Sequence, residues 1–169
     1  MSEVPTKISK TAFLKYDQCP KAFFLYKKFP FLRDPVSKEK QFTFNRGHEI
    51  GALAQQLFPG GIDVSKQTKN TSEAAELTTR LIANNTLTIY EATFVFNGAL
   101  IMVDILHNDG KSWNAYEVKS SLKVSEVYIK DACLQYYVLK NSLLGFVDLF
   151  LVTMNGEYKL DGELNINQL

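Results

Sequence analysis

Hydrophobic and polar positions divide the chain into a helical first half and a β-rich second half. In the first half, apolar residues recur at helical spacing in three segments, residues 9–28, 44–58 and 72–84. Pro20 lies inside the first segment and is expected to end or kink that helix, because proline has no amide N–H to donate. A loop is predicted at residues 30–38, and a short strand at residues 62–64.

In the second half, β-branched and aromatic runs alternate with tight-turn sequences. The dipeptide Asn97-Gly98 is typical of a two-residue hairpin, because both positions accept positive φ. The predicted elements are strands at 88–96, 99–107 and 112–119, a helix at 124–141, a strand at 146–154 and a last polar strand. This order predicts an α/β fold with a mixed β-sheet, β-β-β-α-β, flanked by helices and preceded by N-terminal helices. The strand–helix–strand unit is expected to be a right-handed crossover.

Length and cysteine content restrict the class of protein. The 169 residues fit one domain, expected to span residues 1–169, either complete in itself or the N-terminal part of a longer protein. No apolar run approaches the length of a membrane helix and no signal peptide is recognisable, so a cytoplasmic protein without a membrane partner is expected. Cys19 and Cys133 are too far apart to suggest a zinc pattern or a disulfide framework.

Basic residues concentrate in the first quarter of the chain, although the total charge is nearly balanced. Nineteen Lys and Arg residues face eighteen Asp and Glu residues, which gives a net charge of +1. A nucleic-acid-binding surface must therefore arise from uneven placement of charge, not from a general basic excess. The N-terminal basic residues could meet phosphates or form an ordinary solvated surface, and the sequence leaves both interpretations open.

Three ionisable residues in the predicted sheet are the candidates for chemistry. Asp104 interrupts an apolar strand, where a charge is tolerated only if it is paired, metal-bound or turned to solvent near the strand end. Glu117 and Lys119 are two positions apart on the next strand, so they share one face at a spacing of about 6.6–7 Å. An exposed surface ion pair is the simpler interpretation of Glu117 and Lys119, because Glu-x-Lys is a common tripeptide.

Two carboxylates beside a lysine favour metal-dependent phosphodiester hydrolysis. Hard cations such as Mg²⁺ and Mn²⁺ prefer oxygen ligands, and two carboxylates with waters and a phosphate satisfy them. Such a cation polarises the phosphate and lowers the pKa of a bound water. The lysine can orient that water or stabilise the developing charge. Asp104, Glu117 and Lys119 together therefore predict a phosphodiesterase site.

The order of these residues resembles the PD-(D/E)XK nuclease superfamily. Asp104 followed by Glu117-Val118-Lys119 is similar to the D…(D/E)xK motif of that superfamily. Three further segments narrow the resemblance to the RecB-like and CRISPR-associated exonucleases. Residues 46–51 resemble the Gly-His helix start of that branch, residues 89–92 resemble its acidic strand, and residues 131–137 resemble its Gln-and-Tyr helix. Residues 9–21 resemble the N-terminal helix of the same branch. The resemblance covers residues 8–154 and implies a restriction-endonuclease-like core.

The resemblance also implies a metal centre. His48, Asp104 and Glu117 would hold Mg²⁺ or Mn²⁺, and the Val118 carbonyl would be a further ligand. Glu91 would contribute through a water or a second metal ion. Taken alone, His48 is more simply explained as a surface residue of its helix, so its role as a ligand depends on the resemblance.

Lys119 would be the catalytic lysine in such a site. Gln135 matches the glutamine of the family and is expected to position substrate or Lys119. Tyr128, Asp131 and Gln135 lie at positions 0, +3 and +7 of the predicted helix, so they share one face.

The chain also departs from the family pattern at two places. The tyrosine that often lies four residues after the glutamine is replaced by Leu139. Cys19 matches the N-terminal cysteine of iron–sulfur members, but the chain has no C-terminal cysteine trio. No iron–sulfur cluster is therefore expected in this chain.

The implied function is a divalent-metal-dependent deoxyribonuclease. An exonuclease on single-stranded DNA ends is expected, acting in repair, recombination or CRISPR adaptation. A helicase or another repair protein would be its partner, because the chain has no helicase motif. The alternatives are a restriction-like endonuclease, or a catalytically inactive module of the same fold that binds nucleic acid or a partner protein. Asp104, Glu117 and Lys119 favour an enzyme, since a binding module need not retain them.

Overall fold

A computed structural model describes residues 7–169, and the six preceding residues lie outside the described part. The chain forms an α/β fold in which helices flank a mixed six-stranded sheet. In chain order the elements are β1 (Ile8–Ser9), α1 (Lys10–Gln18), α2 (Pro20–Lys28), α3 (Lys38–Ala54), β2 (Ile62–Asp63), α4 (Thr71–Ala83), β3 (Thr88–Phe96), β4 (Ala99–Asn108), β5 (Trp113–Lys119), α5 (Glu126–Ser142) and β6 (Phe146–Thr153).

Proline and serine set the boundaries of the N-terminal helices. The Ser9 side chain accepts a hydrogen bond from the backbone N–H of Ala12 and caps α1. The backbone is extended at Cys19, and Pro20 opens α2, so the predicted break at this proline is confirmed. The predicted start of the next helix at residue 44 was wrong. Ser37 caps α3, which begins at Lys38, because its side chain accepts from the N–H of Lys40.

The sheet has the strand order β2-β3-β4-β5-β6, and β1 pairs with β4. Strands β3, β4 and β5 are antiparallel, whereas β5 and β6 are parallel and are joined through α5. The predicted mixed sheet is therefore confirmed. The last polar strand is not formed: residues 155–169 make turns and irregular structure. There the Asn155 side chain accepts from the N–H of Glu157 and donates to the carbonyl of Gln168.

The β3–β4 hairpin closes where the sequence predicts it. Asn97 and Gly98 have φ of 47° and 77°, as the two central positions of a tight hairpin turn require. Phe96 pairs with Ala99 directly across the turn. The hairpin register decides which residues of β3 lie beside Asp104, and therefore the composition of the candidate site.

Two apolar clusters hold the helices on the sheet. The main cluster contains residues of α4, α5 and the central strands: Ala74, Leu81, Ile89, Ala92, Val103, Leu106, Val138 and Leu139 are among its members. The second cluster joins α3 to the sheet through Ala54, Tyr90 and Ile105. Ile89 and Tyr90 are adjacent but belong to different clusters, as expected for a strand covered on both faces. Within residues 7–169, no helix combines the length and the apolarity needed to cross a bilayer.

Candidate functional site

A pocket of about 550 Å³ opens between α3 and the sheet. All five residues predicted as metal ligands line it: His48, Glu91, Asp104, Glu117 and Val118. They come from four elements, so their proximity is a property of the tertiary fold. Their roles as ligands remain predictions.

Irregular backbone at the centre of the β3–β4 hairpin directs two carboxylates into this pocket. The ladder pairs Tyr90 with Ile105 and Ala92 with Val103, and Glu91 and Asp104 between them are outside it. Residues 90 and 92 would share a face in a regular strand. Tyr90 instead packs into the second cluster and Ala92 into the main one, so the alternation breaks at Glu91.

The break coincides with an uncommon backbone conformation at Glu91. Its φ is 55°, in the left-handed region that residues with a Cβ atom rarely adopt. Such a conformation costs about 1–2 kcal/mol relative to ordinary backbone. Strained positions of this kind persist where the surrounding structure imposes them, and they cluster at functional sites. The result here is a carboxylate that points into the pocket instead of an apolar cluster.

Strands β4 and β5 separate next to the same position. Their pairing ends at Ile105 opposite Tyr116, one step before Asp104 would face Glu117. In place of a backbone ladder, the Oδ2 atom of Asp104 accepts a hydrogen bond from the Val118 N–H at 2.7 Å. The side chain thus holds β5 where the ladder ends.

Burial and neighbouring carboxylates raise the pKa values of two acids in the pocket. Burial raises the pKa of Asp104 to about 7, and the charges of Glu117 and Glu91 act in the same direction. Lys10 and the Val118 N–H oppose this rise. The pKa of Glu91 is also raised, first by burial and then by the charge of Asp63. The pocket therefore carries more acidic groups than its local positive charge neutralises.

Glu117 is buried between two lysines. It is only 2% exposed, which excludes the surface ion pair considered from the sequence. The Lys119 ammonium donates to its Oε1 at 2.6 Å, and the Lys10 ammonium lies 3.1 Å from both of its oxygens. Burial alone would raise the pKa of Glu117, but the charges of Lys10 and Lys119 hold it below its usual value. Glu117 is therefore ionised.

Lys119 is anchored from two sides. Besides Glu117, it donates to Oδ2 of Asp131 at 2.7 Å, and its ammonium lies 5.2 Å from the ring centre of Tyr128. Burial alone would lower the pKa of Lys119, yet Glu117 and Asp131 raise it above its usual value. An ammonium held this way is a permanent cation and hydrogen-bond donor, and it cannot serve as a general base near neutral pH.

The predicted helix face on α5 does meet the site, but Gln135 does not make the expected contact with Lys119. Asp131 makes that contact instead. Gln135 is fully buried, and neither atom of its amide has a hydrogen-bond partner within residues 7–169. The amide is close enough to Glu117 to help lower the pKa of that carboxyl, although it forms no bond of ordinary geometry. The other predicted role of Gln135, positioning of substrate, remains a prediction.

Asp63 and Lys10 are among the residues of the site that were missed from the sequence. Asp63, at the end of β2, lines the pocket and accepts hydrogen bonds from the backbone N–H and hydroxyl of Ser65. Lys10 is the first residue of α1, which has no acid in its first turn. A cation is unfavourable at a helix N-terminus because of the helix dipole, so Lys10 could have been recognised as a residue with a tertiary partner.

The donor types in the pocket suit a hard divalent cation. Carboxylates and one imidazole are available, and the mutual repulsion that helps raise the pKa of Asp104 would be relieved by a positive ion. Over residues 7–169, however, no three His, Cys, Asp or Glu side chains converge closely enough to hold a metal ion. The donor types thus match those that Mg²⁺ or Mn²⁺ prefers, while the cations that contact Glu117 in this structure are the ammonium groups of Lys10 and Lys119.

No protein-family profile, curated protein or solved structure matches this chain. The resemblance to PD-(D/E)XK nucleases therefore remains a prediction from the sequence, based on Asp104, Glu117 and Lys119 and on the segment around His48.

Proposed function

We propose that this chain is a divalent-metal-dependent nuclease domain with the restriction-endonuclease-like core of the PD-(D/E)XK superfamily. The observation that carries the proposal is the meeting of Asp104 and Glu117 in one pocket with His48 and Glu91. Lys119 is hydrogen-bonded to Glu117 at the edge of this group. Acidic oxygen donors beside a fixed ammonium match the requirements of phosphodiester hydrolysis.

Each residue has a defined part in this proposal. Asp104, Glu117 and His48, which line the pocket, would hold Mg²⁺ or Mn²⁺, with Glu91 and the Val118 carbonyl as further ligands. A bound divalent cation supplies Lewis acidity towards the phosphate and lowers the pKa of a coordinated water. Lys119, kept protonated by Glu117 and Asp131, stabilises the negative charge that develops on the phosphate.

The basic segment that leads into the pocket supports a nucleic acid as the substrate. Residues 20–46 carry seven basic and two acidic residues, whereas the whole chain has a net charge of only +1. Aromatic rings are exposed on the same segment: Phe31 is 78% exposed and Phe42 is 68% exposed. Phe44 is also exposed and lines the pocket itself. Basic groups interleaved with aromatic faces bind single strands, by phosphate contacts and base stacking.

These features support a single strand as the substrate, while exonuclease action on single-stranded DNA ends is proposed from the resemblance. A role in repair, recombination or CRISPR adaptation, and a helicase or other repair protein as partner, belong to the same proposal. They depend on the likeness of Asp104, Glu117 and Lys119 to the nuclease motif, and each follows only if the activity is found.

Degradation of end-labelled single-stranded DNA tests the proposal. Wild-type protein is expected to degrade it with Mn²⁺ or Mg²⁺ and to be inactive in EDTA. Asp104→Asn and Lys119→Met should each abolish the activity. Asp109→Asn is the matched control, because Asp109 is a carboxylate in an exposed turn of the same sheet. Circular single-stranded DNA distinguishes an endonuclease from an exonuclease, and no cleavage of either substrate in either metal would refute the enzymatic proposal.

A non-catalytic nucleic-acid-binding module is the second candidate. Its supporting observation is that Glu117 is already bound by two ammonium groups, and that no three donors converge within the described chain. This candidate predicts metal-independent binding of single-stranded DNA without cleavage. Binding that persists in EDTA, together with no detectable Mn²⁺ binding, would favour it over the enzyme.

A further inference from the structure

Lys10 makes a contact that the proposed nuclease mechanism does not use. Its ammonium lies 3.1 Å from each oxygen of Glu117, so it bridges the carboxylate symmetrically. The two residues are 107 positions apart, and the carboxylate side chain is only 3% exposed. A positive charge shared between both oxygens of a buried carboxylate lies where a divalent cation would also bind.

The two lysines on Glu117 differ in how firmly they are held. Lys119 has a second acidic partner, Asp131, at 2.7 Å. Glu117 is the single salt-bridge partner of Lys10 within residues 7–169. Lys10 also occupies the first position of α1, where the helix dipole disfavours a cation. Of the two ammonium groups, that of Lys10 is therefore the more easily displaced.

We propose that Lys10 is an internal counter-cation, which occupies Glu117 in the metal-free protein and competes with a divalent metal ion for that carboxylate. The inference rests on the proposed function, because it assigns Glu117 as a metal ligand. Lys10 stabilises the metal-free fold by neutralising a buried charge, and by the same contact it weakens metal binding. A residue with a purely structural role would have only the first of these effects.

Substitutions that remove and strengthen the contact should move metal affinity in opposite directions. Lys10→Met removes the charge and keeps most of the side-chain volume, so Mn²⁺ should bind more tightly, by about tenfold, within the usual range for coupled sites. Lys10→Arg places a planar guanidinium, which pairs with a carboxylate through two parallel hydrogen bonds. The arginine should compete better than lysine and weaken Mn²⁺ binding several-fold.

The experiment is a calorimetric titration of the whole chain with Mn²⁺, after treatment with EDTA and dialysis. Lys15→Met is the matched control, because Lys15 lies on the same helix but faces the ring of Tyr26. Its Kd should remain within about twofold of wild type, since Lys15 forms no salt bridge with Glu117 and salt screens charges that are not in contact. Glu117→Gln should lose most of the binding. Thermal unfolding adds a second readout. Without metal, the Tm of Lys10→Met should be lower than that of wild type, and saturating Mn²⁺ should raise the Tm of Lys10→Met by more than it raises that of wild type.

Each outcome separates this inference from the proposed function. If wild type binds Mn²⁺ and Lys10→Met binds with equal or lower affinity, the counter-cation role is wrong and the metal site remains. If Lys10→Met does not fold, the test depends on Lys10→Arg alone. A Kd of Lys10→Arg for Mn²⁺ that is equal to or lower than that of wild type then overturns the inference. Absence of Mn²⁺ binding in every variant would overturn both the inference and the metal-dependent nuclease proposal.

Discussion

The carboxylate of Asp104 accepts a hydrogen bond from the backbone N–H of Val118 at 2.7 Å. This bond joins β4 to β5 just beyond the last ladder pair, Ile105 with Tyr116. It holds Asp104 beside Glu117 at the position where the strands separate. The Asp104 side chain thus contributes both to the sheet and to the acidic pocket. Its burial in that pocket lowers the free energy of unfolding by an amount that can be measured.

Asp104→Asn should stabilise the metal-free protein at neutral pH. The pKa of Asp104 is about 7 in the folded protein, against 3.8 as its ordinary value. The folded state therefore binds more protons than the unfolded state between these pH values, and wild type loses stability as pH rises through that window. Asparagine does not titrate and can still accept from Val118. The free energy of unfolding of Asp104→Asn should therefore exceed that of wild type by an amount that grows from about pH 4 and levels off above pH 7, at up to about 4 kcal/mol.

Urea denaturation in EDTA at several pH values measures this effect. Asp109→Asn should show the opposite trend, because backbone N–H groups of Ser112 and Lys111 hold the pKa of Asp109 below its usual value. The stability contributed by Asp109 is present above its ordinary pKa and is lost as pH falls. A stability gain for Asp104→Asn that does not change between pH 4 and pH 8 would contradict the assignment.

Replacement of Glu91 by glycine should relieve backbone strain. Glu91 has a φ of 55°, which glycine adopts without steric cost. Glu91→Gln removes the buried charge but keeps the Cβ atom, so it isolates the electrostatic part. Glu91→Gly should be more stable than Glu91→Gln by about 1 kcal/mol, the difference being the cost of a Cβ atom in the left-handed region. Equal or lower stability of the glycine variant in urea would show that the conformation is not strained.

Asp131 should act as a positioning residue for Lys119. Asp131→Asn keeps the shape and removes the charge that accepts from the Lys119 ammonium. If the nuclease proposal is correct, kcat should fall about 10- to 100-fold, as for other residues that orient a catalytic group, with little change in KM for DNA. Glu126→Gln is the control, because Glu126 pairs with Lys130 on the exposed end of the same helix. A loss confined to KM would show that Asp131 contributes to substrate binding instead.

The exposed aromatic residues of the basic segment should contribute to single-strand binding. Phe31→Ala and Phe42→Ala should each weaken binding of an oligo-dT strand by about 1–3 kcal/mol, as expected for loss of a stacked base. Fluorescence anisotropy in EDTA measures binding without cleavage. Leu144→Ala is the control, since Leu144 is 96% exposed and lies outside the segment. Unchanged affinity in both phenylalanine variants would exclude this surface from the nucleic-acid interface.

Local sequence patterns were sufficient for most of the secondary structure. Asn97-Gly98 allows positive φ at both positions, and the runs on either side are β-formers, so the β3–β4 hairpin follows from short-range chemistry. Pro20 ends α1 because it cannot donate a backbone hydrogen bond. The spacing of Glu117 and Lys119 places both side chains on one face of β5, and their ammonium–carboxylate contact is formed.

Only the tertiary structure decided which way Glu91 points and which charged groups contact Glu117 and Lys119. At Glu91 the alternation breaks, so that Tyr90 and Ala92 pack into different apolar clusters, and no local sequence pattern predicts this break. Lys10 reaches Glu117 across 107 positions, and Asp131 contacts Lys119 in place of Gln135. The sequence by itself therefore determined the main helices and the strands β3 to β6, and it identified most of the residues that could carry chemistry. Their partners were decided by packing, because a buried charge takes the nearest counter-charge that the fold supplies.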